Sequence, residues 1–189
     1  RAIPAMIILF LIIVAATRII ALMNAHDSVE RAVKSTLALA ASQLADAASL
    51  KRQKEDYRHD QDLVRQTAEF GAFGDGYVVA VTDPDFRITA VTASAESSSG
   101  KSLQALVHGG QPLFLFGERA GVLKVEIDGK EWYAAMNRLD GGKSSAAVLV
   151  PVRTVFAEWR RTMTLNVTLY VLTTAILLII LYTYFSQVE

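Results

Sequence analysis

The sequence has no cysteine, so it can form neither a disulfide framework nor a thiolate metal site. Histidine is scarce too: His26, His59 and His108 stand far apart, without the i, i+4 pairing that a metal-binding helix offers. Neither sign of charge is in excess, with 19 basic residues against 19 acidic ones, which argues against a nucleic-acid partner. No kinase, cyclase or hydrolase motif occurs. Gly71-Ala72-Phe73-Gly74-Asp75-Gly76 is glycine-rich but precedes a strand, whereas a phosphate loop follows one and opens a helix. Residues 1–189 are therefore expected to hold no catalytic residue, no cofactor and no metal, and not to be an enzyme. Apolar residues, by contrast, are plentiful. They make up 52 % of the chain against 20 % charged, too many for a disordered segment, and the excess gathers at the two ends.

Ala2 to Met23 is apolar apart from Arg18, and as a helix it would cover about 33 Å, enough for a bilayer core. Arg18 lies near the end of that run, where its side chain can snorkel to the headgroups. Met163 to Phe185 is a second run without formal charge, with Tyr182, Tyr184 and Phe185 clustered at its far end like an interfacial belt. Its threonines and Asn166 can bond back to the helix. The expected organisation is a transmembrane helix at 2–23, a domain at 24–162 and a second transmembrane helix at 163–185. The chain opens at Arg1 and stops at Glu189 just past a span, as an excised piece of a longer protein would.

Asn24 to about Glu69 reads as helix. Val33, Leu37, Ala40, Leu44 and Ala47 recur at alternating spacings of four and three, and Asp27/Arg31 and Glu30/Lys34 add i, i+4 pairs. The stripe suits packing on the domain's own sheet, with any dimer contact confined to the membrane-proximal turns. A charged run, Lys51–Asp56, reads as a solvated face or a turn.

From Tyr77 the period changes to that of strands. Tyr77–Thr82 and Arg87–Thr92 flank the turn Asp83-Pro84-Asp85, while Val122–Ile127 and Glu131–Leu139 flank Asp128-Gly129. Asp140-Gly141-Gly142 then leads to Ser145–Val152. Short turns between five strands over 77–152 predict an α+β domain with an antiparallel sheet. The first and fifth strands are apolar on both faces and belong in the centre. The second and third carry a polar face each (Arg87, Thr89; Lys124, Glu126) and belong outside, giving the order 2-1-5-4-3. Residues 93–120 form a long excursion between the second and third strands. It holds a Ser-rich loop, a short helix around Lys101–Val107 and the run Pro112–Phe116, and such segments commonly wall a ligand cavity.

This order and its excursion resemble the PAS fold, and the long helix in front is similar to Cache/PDC-type extracytoplasmic sensor domains. Val81-Thr82-Asp83-Pro84-Asp85-Phe86-Arg87-Ile88 resembles the family's hairpin pattern, with Phe86 where Gly usually stands, and Gly100-Lys101-Ser102-Leu103 resembles its Gly-x-x-Leu lead into the first short helix. The resemblance implies the input region of a bacterial receptor, taken as a two-component sensor histidine kinase. It would be a homodimer in the lipid bilayer of the inner membrane, with residues 24–162 periplasmic and the output domain in the cytoplasm beyond Glu189. Its ligand, a small periplasmic solute, would lie between sheet and excursion. Tyr133 and Asn137 on one face of the fourth strand, Arg119 at the end of the excursion and His108 beside Gly109-Gly110 are the candidate binding residues. Each also has an ordinary explanation: strand packing, an exposed end, a solvated loop charge and a loop surface residue. The second reading is a ligand-free dimerisation or partner-binding module, and the input region of a diguanylate cyclase or chemoreceptor is an alternative within the first. A polar-lined cavity beneath residues 93–120 separates the two readings, because a filled apolar core there would leave no place for a ligand.

Overall fold

The computed structural model describes residues 2–52, 61, 62, 64, 76–139 and 144–186. Much of the expected helix beyond Arg52, most of the charged run Lys51–Asp56, nearly all of the glycine-rich corner at 71–76 and the turn at 140–142 lie outside the described residues. Helix α1 (Ala2–Arg52) is followed by β1 (Val78–Thr82), β2 (Ile88–Val91), a first 3₁₀ helix (Ala93–Ser98), α2 (Leu103–Leu106) and α3 (Gln111–Phe116). A second 3₁₀ helix (Gly117–Ala120), β3 (Leu123–Ile127), β4 (Lys130–Leu139), β5 (Ser144–Pro151), α4 (Val152–Val155) and α5 (Ala157–Ser186) complete the order. The chain divides into two compact units, residues 31–155 and residues 1–30 with 156–189.

In the first unit the five strands form one antiparallel sheet in the order β2-β1-β5-β4-β3. Strand bounds fall within one residue of those read from the sequence. Ser144 to Val150 of β5 are all buried, as a central strand covered on both faces requires. Pairing sorts the side chains into two layers. Val79, Val148 and Ala135 stand side by side on one face, with Tyr133 opposite Val150. Ala80, Ala147 and Met136 share the other, with Ala134 opposite Leu149. Of the stripe on α1, Leu37, Ala40 and Leu44 are buried within the chain and Val33 and Ala47 are half-buried, while Ala41 and Ala48 beside them are also inside. Lys34 Nζ stands 6.0 Å from the Tyr133 ring, so α1 lies against the Val79/Val148 face.

The excursion covers the opposite face and is tied down at both sheet edges. At the β2 edge, Ile88 N donates to Lys101 O (2.9 Å), Gly100 N to Ile88 O (2.8 Å) and Leu103 N to Phe86 O (2.8 Å). At the β3 edge, His108 N donates to Glu126 O (2.8 Å) and Glu126 N to His108 O (2.9 Å). The two outer strands therefore do not present bare backbone. Between these ties, Leu103, Val107, Leu113 and Phe114 pack into an apolar layer with Ala80, Val91, Ala134 and Leu149. Gly110 opens α3 at a close approach, since a Cβ there would stand 2.6 Å from Val107 Cγ1. At the far end of α3, Arg138 Nη2 donates to Phe114 O (3.1 Å) and Leu115 O (2.9 Å), satisfying carbonyls the helix cannot.

Turn chemistry is local. Asp83 Oδ1 accepts from Asp85 N (3.0 Å) and Arg87 N (2.8 Å). Phe86, the last residue of this turn, has φ +57°, a left-handed backbone that costs a bulky residue about 1–2 kcal/mol. Its ring is held edge-on to Phe114, 5.0 Å between centroids, which offsets the strain. An inverted order of stabilities should follow. Phe86→Ala loses the ring and keeps the strain, whereas Phe86→Gly loses the ring and relieves it. The glycine variant is expected to be the more stable by about 1–2 kcal/mol, read from urea unfolding of the chain in detergent micelles.

Two helices are long and apolar enough to cross a bilayer, within Met6–Ala48, which begins in the second unit and runs on into the first, and Ala157–Tyr184 of the second unit. Their polar side chains bond back along the helix: Thr17 to Ile13 O (2.8 Å), Asn166 Nδ2 to Thr162 O (2.9 Å) and Thr173 to Leu169 O (2.8 Å). Tyr170 OH donates across to Leu11 O at 3.0 Å, and Trp159 Nε1 to Leu22 O at 3.3 Å. His26 stacks on Phe156 at 4.5 Å and meets Trp159 edge-on at 5.1 Å.

Candidate functional site

A cavity of about 220 Å³ lies between the sheet and the excursion. Its floor comes from Val78 and Ala80 of β1, Leu149 of β5, and Ile88 and Val91 of β2, which lie three apart and are brought to one face by a shift in the β1–β2 register. Leu103 and Leu106 of α2 close one side. Polar groups gather elsewhere on the wall: Ser94, Ser97 and Ser98 from the first 3₁₀ helix, and Asp128 and Trp132 from the β3–β4 hairpin. The site thus has an apolar body and a few hydrogen-bonding groups, as small-molecule sites usually do.

The hairpin's turn and pairing set where its two contributors stand, Asp128 exposed at the tip and Trp132 half-buried. Asp128 and Gly129 have φ of +50° and +71°, the paired left-handed conformation of a two-residue turn, and Ile127 faces Lys130 across it. Asp128 makes no ion pair among the described residues. Trp132 lies opposite Pro151 of β5 on one side and Val125 of β3 on the other. Trp132 lines the cavity, and its indole Nε1 is buried without a hydrogen-bond partner among the described residues.

The four residues singled out in the sequence are not brought together, and none of them lines this cavity. Tyr133 and Asn137 share a face of β4, opposite Val150 and Ala146, but it is the α1 side of the sheet. Tyr133 is fully buried, its ring flanked by Lys34 Nζ at 6.0 Å and Lys124 Nζ at 5.7 Å. Arg119 is exposed on the second 3₁₀ helix, beside a surface groove shared with Phe116, Glu118 and Arg138. His108 is exposed and contributes its backbone to the β3 edge. The sequence marks Asp128 as a turn residue and the serines as part of a loop, and it does not single out Trp132. The one signal that could have found them is strand parity: Trp132 is one residue from Tyr133 and so on the other face. Tyr77, just before β1, is outside the cavity, and burial pushes its phenol above the usual range.

No family model and no curated protein matches the chain. Among solved structures, it is similar to an extracellular ligand binding receptor from Desulfohalobium retbaense (12 % identity, TM-score 0.48, covering 72 % of this chain and 25 % of that one). It is also similar to the periplasmic sensory domain of the Campylobacter jejuni chemoreceptor Tlp1 (21 % identity, TM-score 0.38, 50 % of this chain and 35 % of that one). A third is the sensor domain of E. coli DcuS (10 % identity, TM-score 0.42, 69 % of this chain and 97 % of that one). The chain thus spans about a quarter to a third of the first two and nearly all of the third.

Proposed function

We propose that the chain is the signal-sensing input region of a bacterial transmembrane receptor, a homodimer in the cytoplasmic membrane with residues 24–162 on the outside. The observation that supports this reading is the cavity beneath residues 93–120, polar at Ser94, Ser97, Ser98 and Asp128, where a plain structural module would be filled. A small solute entering it would touch the excursion and β5 together. Leu149 lines the cavity, and Ala157, the first residue of α5, follows after Pro151 and the single turn of α4. A ligand that favours one packing of the excursion over another would therefore act on the strand that leads into the second apolar helix. The output domain we assign beyond Glu189 is a protein-histidine kinase, because such receptors commonly use this layout, with a diguanylate cyclase or chemoreceptor output as the alternative.

A second reading, the ligand-free partner-binding module, has one observation in its favour: Leu115 and Phe116 are exposed at 67 % and 59 %. Phe114 beside them is 5 % exposed, so two side chains stand out rather than three. Patches that mark interfaces usually run to several hundred Å².

Thermal unfolding of the chain in detergent micelles, against a panel of small organic acids, amino acids and amines, tests the first reading. At least one class should raise the midpoint, with about 2.7 kcal/mol of stabilisation at a hundredfold excess over Kd. Ala80→Leu, which extends a side chain from the cavity floor, should remove the shift. No shift with any class would transfer the assignment to the partner-binding module.

A further inference from the structure

Resting on the ligand-cavity reading above, we propose that the cavity selects a compact amino alcohol, an organic cation with one neutral oxygen, and rejects amino acids and dicarboxylates. Charge makes the first cut. Among the described lining residues Asp128 is the one ionisable side chain, and no described lysine, arginine or histidine accompanies it. A ligand carboxylate would enter beside a like charge and give up water without finding a cation. An ammonium group would meet the Asp128 carboxylate, which has no ion-pair partner among the described residues.

The second cut is hydrogen bonding. Trp132 lines the cavity and its Nε1 is a buried donor with no partner among the described residues, so a ligand that displaces the indole enough to reach it must bring an acceptor. A hydroxyl oxygen provides that without a negative charge, and it can also exchange hydrogen bonds with the serine hydroxyls. The indole ring itself adds a face on which a cation is favoured. Size is the third cut: 220 Å³ is about seven times the volume of a water molecule in the liquid, which suits a short branched body against Ile88, Val91 and Leu149.

Valinol and valine share one side chain and one amine and differ in carrying a hydroxymethyl group or a carboxylate, so they make a matched pair of probes. Each is titrated into the chain in detergent micelles, with succinate and isobutanol alongside, and the unfolding midpoint and tryptophan fluorescence are read. The expected result is a shift with valinol and none with valine, succinate or isobutanol. Asp128→Asn should weaken valinol by about tenfold or more while the domain stays folded, because asparagine tolerates the same left-handed turn. Trp132→Phe keeps a ring and removes the donor, and should weaken valinol as well. A shift with valine or succinate but not valinol would overturn the charge selection and leave the sensor cavity standing. An unchanged valinol affinity in Asp128→Asn, or an equal response to isobutanol, would overturn it too. Silence from these probes and from the whole panel would overturn both readings together.

Discussion

Replacing Tyr133 with alanine is expected to lower the stability of the sheet domain by about 3–5 kcal/mol, the range for deleting a fully buried aromatic ring. Tyr133 is 0 % exposed and stands opposite Val150, on the face where α1 packs. Removing it empties a ring's volume from a layer whose other members, Val79 and Val148, are equally inaccessible. It also ends the approach of Lys34 and Lys124 to the ring, worth about 0.5–1 kcal/mol each at partly exposed sites. Tyr133→Phe keeps the ring and both cations, so most of the stability should remain. Urea unfolding of the chain in micelles gives the comparison. The same two variants locate the ligand. Tyr133 lies on the opposite face of the sheet from Trp132, so Tyr133→Phe should leave any ligand-induced shift intact. A shift lost in that variant would move the site to the α1 side.

The sheet order could be read before the structure because it rests on one-dimensional signals. Two strands apolar on both faces had to be central, and Asp83-Pro84 and Asp128-Gly129 each encode a turn through their own backbone preferences. The excursion was legible as an element, and its run Pro112–Phe116 folds as α3, which proline favours in its first turn. What remained hidden was which face of the sheet the excursion covers. Along β4, Tyr133 and Ala135 alternate with Trp132, Ala134 and Met136, so both faces are apolar and the period of two cannot label them. The label comes from distant pairing: Lys101–Leu103 tied to the β2 edge and His108 to the β3 edge carry the intervening chain across the Ala134/Leu149 side. A candidate pocket built on Tyr133 and Asn137 was therefore placed on the face that α1 occupies. Asp128 was legible only as a turn residue, and its second use follows from where the hairpin tip lies in three dimensions.

An aspartate introduced at Val148 is expected to abolish folding of the sheet domain, whereas one introduced next door at Leu149 should be far less damaging. Val148 is 0 % exposed in the central strand, between Val79 and Ala135 on the closely packed α1 side. A carboxylate there loses its hydration, and even after relaxation the penalty is several kcal/mol. That approaches the whole stability of a typical domain, about 5–15 kcal/mol. Leu149 is almost as buried, at 3 %, but it faces the cavity, where a volume of 220 Å³ and the hydroxyls of Ser94, Ser97 and Ser98 can hold water around a charge. Circular dichroism and urea unfolding of the two variants in micelles should then differ: no cooperative transition for Val148→Asp, and a weakened but cooperative one for Leu149→Asp. Equal collapse of both would mean that the cavity admits no water, and a site closed to water could not exchange a polar solute with the outside.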